Sequence, residues 1–327
     1  MTILVTGSAG HLGEALVREL RAQGREVRGI DIKPSPFTDE VGSIADEAFV
    51  RRAMAGATGV VHAATLHKPH VATHSKRQFV DTNVAGTVAL LEAAVAEGVR
   101  GFVFTSTTSA FGAALSPAAG QPAAWIDEDV VPVPKNIYGA TKIAAEGMCE
   151  LVARKDHLPV VVLRTSRFFP EDDDNAGVRA EYGTENMQAN ELLYRRADIE
   201  DIVGAHLLAL ERAPSIGFGR YIVSAPTPFT RADVAELRKD ALAVVARLFP
   251  DVASLYAEKG WKLLPSLDRV YDSHKAMREL GWVPRRDFAY VLACLRRGED
   301  FRSPAALAVG RKGYHDEVFA DGPYPVA

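Results

Sequence analysis

The sequence predicts an α/β protein: a doubly wound parallel sheet followed by a small, mostly helical C-terminal part. Three observations carry this. Short apolar runs alternate with amphipathic stretches through the first half, the pattern of strand–helix units feeding a parallel sheet. A glycine-rich turn stands between the first strand and the first helix. From Arg231 onward the apolar periodicity is mostly helical.

Taken in order, residues 3–6 read as a strand and 11–23 as a helix, with Leu12, Ala15, Leu16 and Leu20 at helical spacing and Gly24 suited to the left-handed residue past its end. Residues 26–31 form a second strand, and Asp46 caps a helix over 47–55. A strand over 59–63, a long helix over 77–97 closed by Gly98, and a strand over 101–105 follow. The Ala- and Pro-rich stretch 117–134 is a surface loop, either a connector or a lid. Residues 136–155 are helical. Residues 159–163 are apolar without alternation, as in a strand buried on both faces. The polar stretch 169–190 reads as irregular, after which a helix over 199–212 and a strand over 219–223 resume the alternation. Helices over 232–249, 273–280 and 288–297 complete the prediction. The tail 311–327 is divided evenly between disorder and packing onto the body or a partner.

These assignments set a sheet domain over 1–165, rejoined by 198–224, with 166–197 and 225–310 forming a second part. The chain has 38 basic and 42 acidic residues, a net charge of −4, which argues against nucleic acid or an anionic membrane as the main partner. Cys149 and Cys294 are too few for a disulfide framework. No apolar run reads as approaching the ~18–20 residues of a membrane span, and a soluble, cytoplasmic protein is expected.

The glycine turn carries the first chemistry. Thr6-Gly7-Ser8-Ala9-Gly10-His11-Leu12-Gly13 places Gly7, Gly10 and Gly13 where a tight turn, close approach to a pyrophosphate and tight helix–strand packing need them. The backbone from Ala9 through His11 and Leu12 then presents a helix N-terminus to phosphate. Asp31 closes the second strand about 24 positions after Gly7, where a carboxylate accepts ribose hydroxyls. NAD is therefore preferred over NADP, with Lys33 the one residue that complicates the choice.

Tyr138 and Lys142 are spaced i,i+4 on one helical face. A phenol of pKa near 10 is a poor base at neutral pH, and a neighbouring ammonium together with an oxidised nicotinamide would acidify it. Phe104-Thr105-Ser106-Thr107-Thr108-Ser109 lies at the carboxyl end of a parallel strand, where doubly wound sheets place ligands. Thr105 is expected at the cofactor and Ser106 at the substrate.

With these motifs the chain resembles the extended short-chain dehydrogenase/reductase superfamily, and within it the NAD-dependent epimerase/dehydratase family, over about residues 1–297. The resemblance implies a Rossmann-type fold with a substrate-binding C-terminal part, and Tyr138 and Lys142 as the catalytic pair. Counting back five from Gly112 implies Thr107 as the catalytic hydroxyl. Val61-His62-Ala63-Ala64 implies that Ala63 and Ala64 flank the cofactor, and Asp81–Thr87 carries a structural Asn83. A homodimer built on two long helices is implied as well. Thr108 and Ser109 stand where 4,6-dehydratases usually carry an Asp-Glu pair, which disfavours dehydration. Only 28 positions separate Pro170 from Asp198, short for a nucleotide-diphosphate holder, and Glu171-Asp172-Asp173-Asp174 would repel one. Residues 163–171 resemble uronate dehydrogenases, a branch that oxidises a free sugar acid.

Other groups invite a role. His62, His67, His70 and His74 crowd one stretch, but Pro69 and the lack of a carboxylate or cysteine at ligand spacing argue against a metal. His67 is a substrate candidate. The acidic run 171–174 is expected to be a solvated loop, and Arg167 and Arg179 are candidate carboxylate clamps. Trp261, Trp282 and Phe229 read as packing. Three functions stay open: an NAD-dependent oxidoreductase at a secondary alcohol of a small sugar or sugar-acid-like substrate, a 4-epimerase-like enzyme, and a non-catalytic NAD-binding regulator.

Overall fold

The computed structural model describes residues 2–173, 175–313, 317 and 319. A seven-stranded parallel sheet is built from β1 (Thr2–Thr6), β2 (Val27–Asp31), β3 (Glu40–Val41), β4 (Ala57–His62), β5 (Phe102–Thr107), β7 (Val160–Thr165) and β8 (Phe218–Val223), in the order β3-β2-β1-β4-β5-β7-β8, with the buried apolar runs in its central strands and an exposed β3 at one edge. The sixth strand of the chain, β6 (Ala124–Ile126), pairs in parallel with β9 (Arg269–Tyr271) in a separate two-stranded sheet.

One face of the large sheet is covered by α1 (His11–Ala22) and α8 (Ile199–Ile216). The other is covered by α2 (Glu47–Met54), by the run α3 (Lys76–Phe79) to α4 (Gly86–Ala96), and by α5 (Ile137–Lys155). Asp46 caps α2 as expected, accepting from Ala48 N at 2.9 Å and Phe49 N at 3.1 Å. The helix expected over 77–97 is interrupted by a π-helical turn, Val80–Ala85. That turn carries Asn83, whose amide is fully used: Oδ1 accepts from Leu66 N at 2.7 Å, and Nδ2 donates to Leu66 O at 3.0 Å and to Thr141 Oγ1 at 3.1 Å. The widened turn thereby pins the segment after β4 to α5. Contrary to the reading of the apolar runs, Lys76–Ala96 is one helix long and apolar enough to cross a membrane; Phe79, Leu90, Leu91 and Ala94 are fully buried in this protein's core instead.

Of the remaining helices, α12 (His274–Leu280) and α14 (Pro304–Val309) bury Ala276, Leu280 and Val309 in the sheet's core, while α6 (Ala176–Glu181), α7 (Thr184–Glu191), α9 (Val234–Leu237), α10 (Ala241–Leu248), α11 (Val252–Lys259) and α13 (Phe288–Arg297) make up a second group. Its cluster joins Leu192, Leu193, Phe229, Tyr256, Phe288 and Phe301, with Trp261 packed against it. Trp282 belongs to the sheet's core and donates from Nε1 to Asp201 O at 2.9 Å.

Several expectations are corrected. The stretch 169–190 is not irregular: it forms α6 and α7, and α7 was hidden because its buried face is polar. Asn186 and Asn190 donate to Lys262 O at 2.9 and 2.8 Å, so buried amides replace the apolar stripe. The helix over 232–249 is split where Asp240 accepts from Ala243 N at 3.0 Å and starts α10 afresh. The loop 117–134 contains β6, too short to show alternation. Of the tail, only 311–313, 317 and 319 are among the described residues; the expectation for the remainder lies outside them.

The glycine turn and α1 meet at a contact that admits no side chain: a Cβ on Gly13 would lie 1.9 Å from Gly7 O. Gly13→Ala is expected to lower stability by about 3 kcal/mol through overpacking against backbone, read as a lower midpoint in urea with an unchanged m-value.

Candidate active site

The carboxyl edge of the sheet opens into a cavity of about 750 Å³ whose two ends are built differently. At one end, Gly7 takes φ +75°, and a Cβ there would lie 2.8 Å from Ala64 N. Ala63 N donates to Thr6 O at 3.3 Å and Ala64 N to Thr6 Oγ1 at 3.0 Å, seating the segment after β4 on the turn. Gly10 begins α1 without a side-chain cap. The first-turn N–H groups of a helix have no intrahelical acceptor, and His11, Leu12 and Gly13 line the cavity. Asp31 Oδ2 accepts from Ala9 N at 3.0 Å and Oδ1 from Lys33 N at 2.9 Å, so this carboxylate also braces the turn. A turn that excludes side chains, a helix dipole aimed into the cavity and a carboxylate beside it fit a dinucleotide.

The other end is built on α5. Asn136 caps the helix, accepting from Gly139 N at 3.1 Å, and this sets Tyr138 and Lys142 one turn apart against β5. Tyr138 is 4% exposed and lines the cavity together with Thr107. Thr107 Oγ1 accepts from Ser109 N at 3.0 Å. Lys142 Nζ donates to Thr105 O at 2.6 Å and sits 4.0 Å from the centre of the Phe104 ring.

Burial dominates the titration here. It pushes the Tyr138 phenol up to about 12, opposed by the Thr107 hydroxyl. It pushes Lys142 down to about 7, opposed by the carboxylate of Glu146. The expected acidification of Tyr138 by its neighbouring cation is therefore not a property of the chain by itself. His67 stacks 5.3 Å from Tyr138 and 5.6 Å from Phe169, and burial, then the charges of His70, His11 and Lys142, push it down to about 3, so it is a neutral wall.

Ser106 lines the cavity, but its hydroxyl is committed elsewhere, donating to Glu146 Oε1 at 2.6 Å. Glu146 is buried and pairs with Arg164 at 2.8 Å and Arg220 at 3.0 Å. Sequence reasoning passed over it, although its place four residues after Lys142 was a visible signal. Arg167 lines the cavity with its guanidinium on Asp173 at 3.0 Å and Asp172 O at 3.0 Å. Arg179 does not reach this cavity: it lines a neighbouring cleft and donates to Asp173 O at 2.6 Å. Arg195, Arg269, Tyr271 and Lys312 line the cavity and were missed, since nothing in their local sequence marks them.

The acidic run is not a solvated loop. Glu171 is 6% exposed and pairs with His11 at 2.6 Å; Asp172 holds Arg311 at 2.6 Å; Asp173 holds Arg167 and Arg195. Its partners come from distant segments, which is why the run looked unpaired; Asp174 lies outside the described residues. Of the histidines, His62 is bound to Thr6 at 2.8 Å and Thr87 at 3.0 Å, while His70 Nδ1 accepts from His67 N at 2.8 Å and the rings of His70 and His74 lie 5.1 Å apart.

Sheet topology, glycine turn and Tyr–Lys helix define a dinucleotide-dependent enzyme of the short-chain dehydrogenase/reductase type. The family model described as NAD dependent epimerase/dehydratase matches residues 3–222. A dTDP-glucose 4,6-dehydratase from Streptomyces antibioticus is 30% identical over 327 residues, 90% of each chain. The chain thus belongs to the NAD-dependent epimerase/dehydratase family, and its cofactor is NAD. Among solved structures, a short-chain dehydrogenase/reductase superfamily protein from Agrobacterium tumefaciens with bound NAD shares the fold at a TM-score of 0.64 and 24% identity, covering 91% of this chain and 98% of that one. The UDP-glucose 4-epimerase of Thermus thermophilus in complex with NAD is similar at 0.60 and 26%, covering 90% and 99%.

The buried ammonium gives a stability test. Lys142 holds its proton to about 10.5 when unfolded and to about 7 when folded, so between these values the unfolded chain binds more protons and stability rises with pH. Its charge costs roughly 4 kcal/mol at pH 7 and below, and the cost is gone above about 10.5. Lys142→Met is expected to melt several degrees higher than the parent at pH 6, with the gain shrinking across that window in thermal scans.

Proposed function

We propose that the protein is a net oxidoreductase acting at a secondary alcohol or its carbonyl in a small polyhydroxylated substrate, sugar or sugar-acid-like, with Thr107, Tyr138 and Lys142 as the catalytic groups. The supporting observation is that Thr107 and Tyr138 line one cavity, with Lys142 one helical turn from the phenol and anchored on Thr105 O at 2.6 Å. NAD, when bound, supplies the hydride acceptor and a positive charge. Tyr138 removes the substrate hydroxyl proton. Thr107 orients the substrate oxygen against the phenol, and Lys142, anchored on Thr105 O, would hold the cofactor's ribose hydroxyls. His67 and Phe169 keep water from the phenol, and Arg167 meets the polar groups of the substrate.

Net oxidation is favoured over elimination by Thr108 and Ser109, which carry no acid–base pair beside Thr107. It is favoured over nucleotide-sugar epimerisation by the short 170–198 segment, which is filled by α6 and α7. The charge of the acidic run no longer contributes to that preference, because Arg311 pairs with Asp172, and Arg167 and Arg195 pair with Asp173. A homodimer through α4 and α5, where Val95 and Leu151 are exposed, and a cytoplasmic setting complete the proposal.

Incubation of NAD with sugars, sugar acids and nucleotide sugars, following NADH absorbance and isomer formation separately, decides among the readings. NADH accumulating with substrate is the expected result. Isomer without NADH would establish the epimerase instead, and tight NAD binding with neither would leave the regulator. Tyr138→Phe is expected to lower kcat by about 10²–10⁴-fold with the Kd for NAD unchanged. With the phenol held near 12 by burial, kcat for oxidation rises toward alkaline pH, and this rise is lost in the variant.

A further inference from the structure

We propose that the C-terminal segment 310–313 is a strap across the pyrophosphate end of the cofactor cavity, with Lys312 as a cofactor-binding cation that the family motifs do not contain. The proposal rests on the cofactor and not on the reaction.

The segment lies far beyond the family-model match at 3–222 and reaches the cavity through packing. Ser303 caps α14, accepting from Ala306 N at 2.9 Å, and Val309 inserts into the sheet's core beside Leu12 and Leu16 of α1. Gly310, at φ +59°, then turns the chain across the first turn of α1. Arg311 forms a two-pronged pair with Asp172, at 2.6 and 3.0 Å. Lys312 N donates to Glu171 Oε1 at 3.0 Å, the oxygen that also meets His11 Nε2 at 2.6 Å. Lys312 Nζ pairs with Glu14, one turn into α1, and Lys312 and Gly313 both line the cavity beside Gly10 and His11.

The electrostatics give the strap its purpose. Glu14 and Glu171 stand on either side of the α1 N-terminus, where a pyrophosphate must bring two negative charges. Two carboxylates there oppose the helix dipole that recruits the phosphates. Arg18 takes one oxygen of Glu14 at 2.7 Å and the Lys312 ammonium takes the other; of these two cations Lys312 is the one that lines the cavity, and Glu171 holds the backbone that carries it. The acidic residues after Pro170 therefore act as the strap's anchor, and the ammonium offsets their charge towards the ligand.

The test measures binding without turnover. Lys312 has a side chain 21% exposed, so Lys312→Ala is expected to fold normally, checked by its melting temperature. Titration calorimetry with NAD, ADP-ribose, ADP and adenosine is then compared between parent and variant. Expected are about a tenfold weaker Kd for the three pyrophosphate ligands, an unchanged affinity for adenosine, and a shallower dependence of NAD binding on salt. Asp172→Asn, which releases Arg311, is expected to weaken the same three ligands less and to speed NAD release in stopped flow. Equal NAD affinity in parent and Lys312→Ala, or a loss as large for adenosine as for ADP, would overturn the proposal. Absence of substrate turnover would bear only on the function proposed above.

Discussion

A lysine ammonium kept out of water beneath a tyrosine is the constraint around which this protein is arranged. Lys142 is 2% exposed, and the groups that make its position tolerable come from several elements: the Thr105 carbonyl and the Phe104 ring of β5, and Glu146 one turn along α5. Glu146 is itself an expensive group to bury. It is held by Ser106 of β5, Arg164 of β7 and Arg220 of β8, so the chain of opposite charges runs from the reacting end of the cavity to the far edge of the sheet. Glu146 is the member that cannot be spared: without it Arg164 and Lys142 would be buried with no counter-charge, whereas losing Lys142 still leaves the carboxylate its two arginines. The sheet edge and the chemistry are thereby tied to one electrostatic arrangement.

The legible parts of the sequence were those whose signal is local. Strands β4, β5 and β7 are continuous apolar runs, α13 shows its apolar stripe and its closing Gly298, and the Tyr138–Lys142 spacing is a statement about one helical face. What stayed hidden depends on partners far along the chain. α7 buries Asn186 and Asn190 because Lys262 offers its backbone, and nothing within 184–191 announces that. β6 is three residues long and exists because β9 lies beside it. In the site, Ser106 sits where a substrate-facing hydroxyl belongs, yet the carboxylate of Glu146 claims it. Arg179 looked equivalent to Arg167 in sequence, and a short helix carries it into a different cleft. Periodicity reports which face is dry; it does not report which polar group a buried side chain will meet.

The acidic run after Pro170 illustrates how charge patterning misleads when read along the chain alone. Consecutive carboxylates repel one another and usually seek solvent, but here each of three meets a side-chain partner: the His11 imidazole for Glu171, Arg311 for Asp172, and Arg167 and Arg195 for Asp173. The run works as a junction among α1, the stretch after β7 and the end of α14. The junction borders the cavity on both sides, since His11 and Arg167 line the same space.

The pairing of Trp125 with Val270 in the small sheet has a consequence for how the molecule comes into being. Closing a loop of that length has an entropic cost that must be met before the contact returns anything, so pairings of this kind form late. Arg269 and Tyr271, which help wall the cavity, ride on the later strand. During synthesis on the ribosome, the nucleotide-holding layers can consolidate while the mouth of the cavity is still waiting for its last strand to emerge.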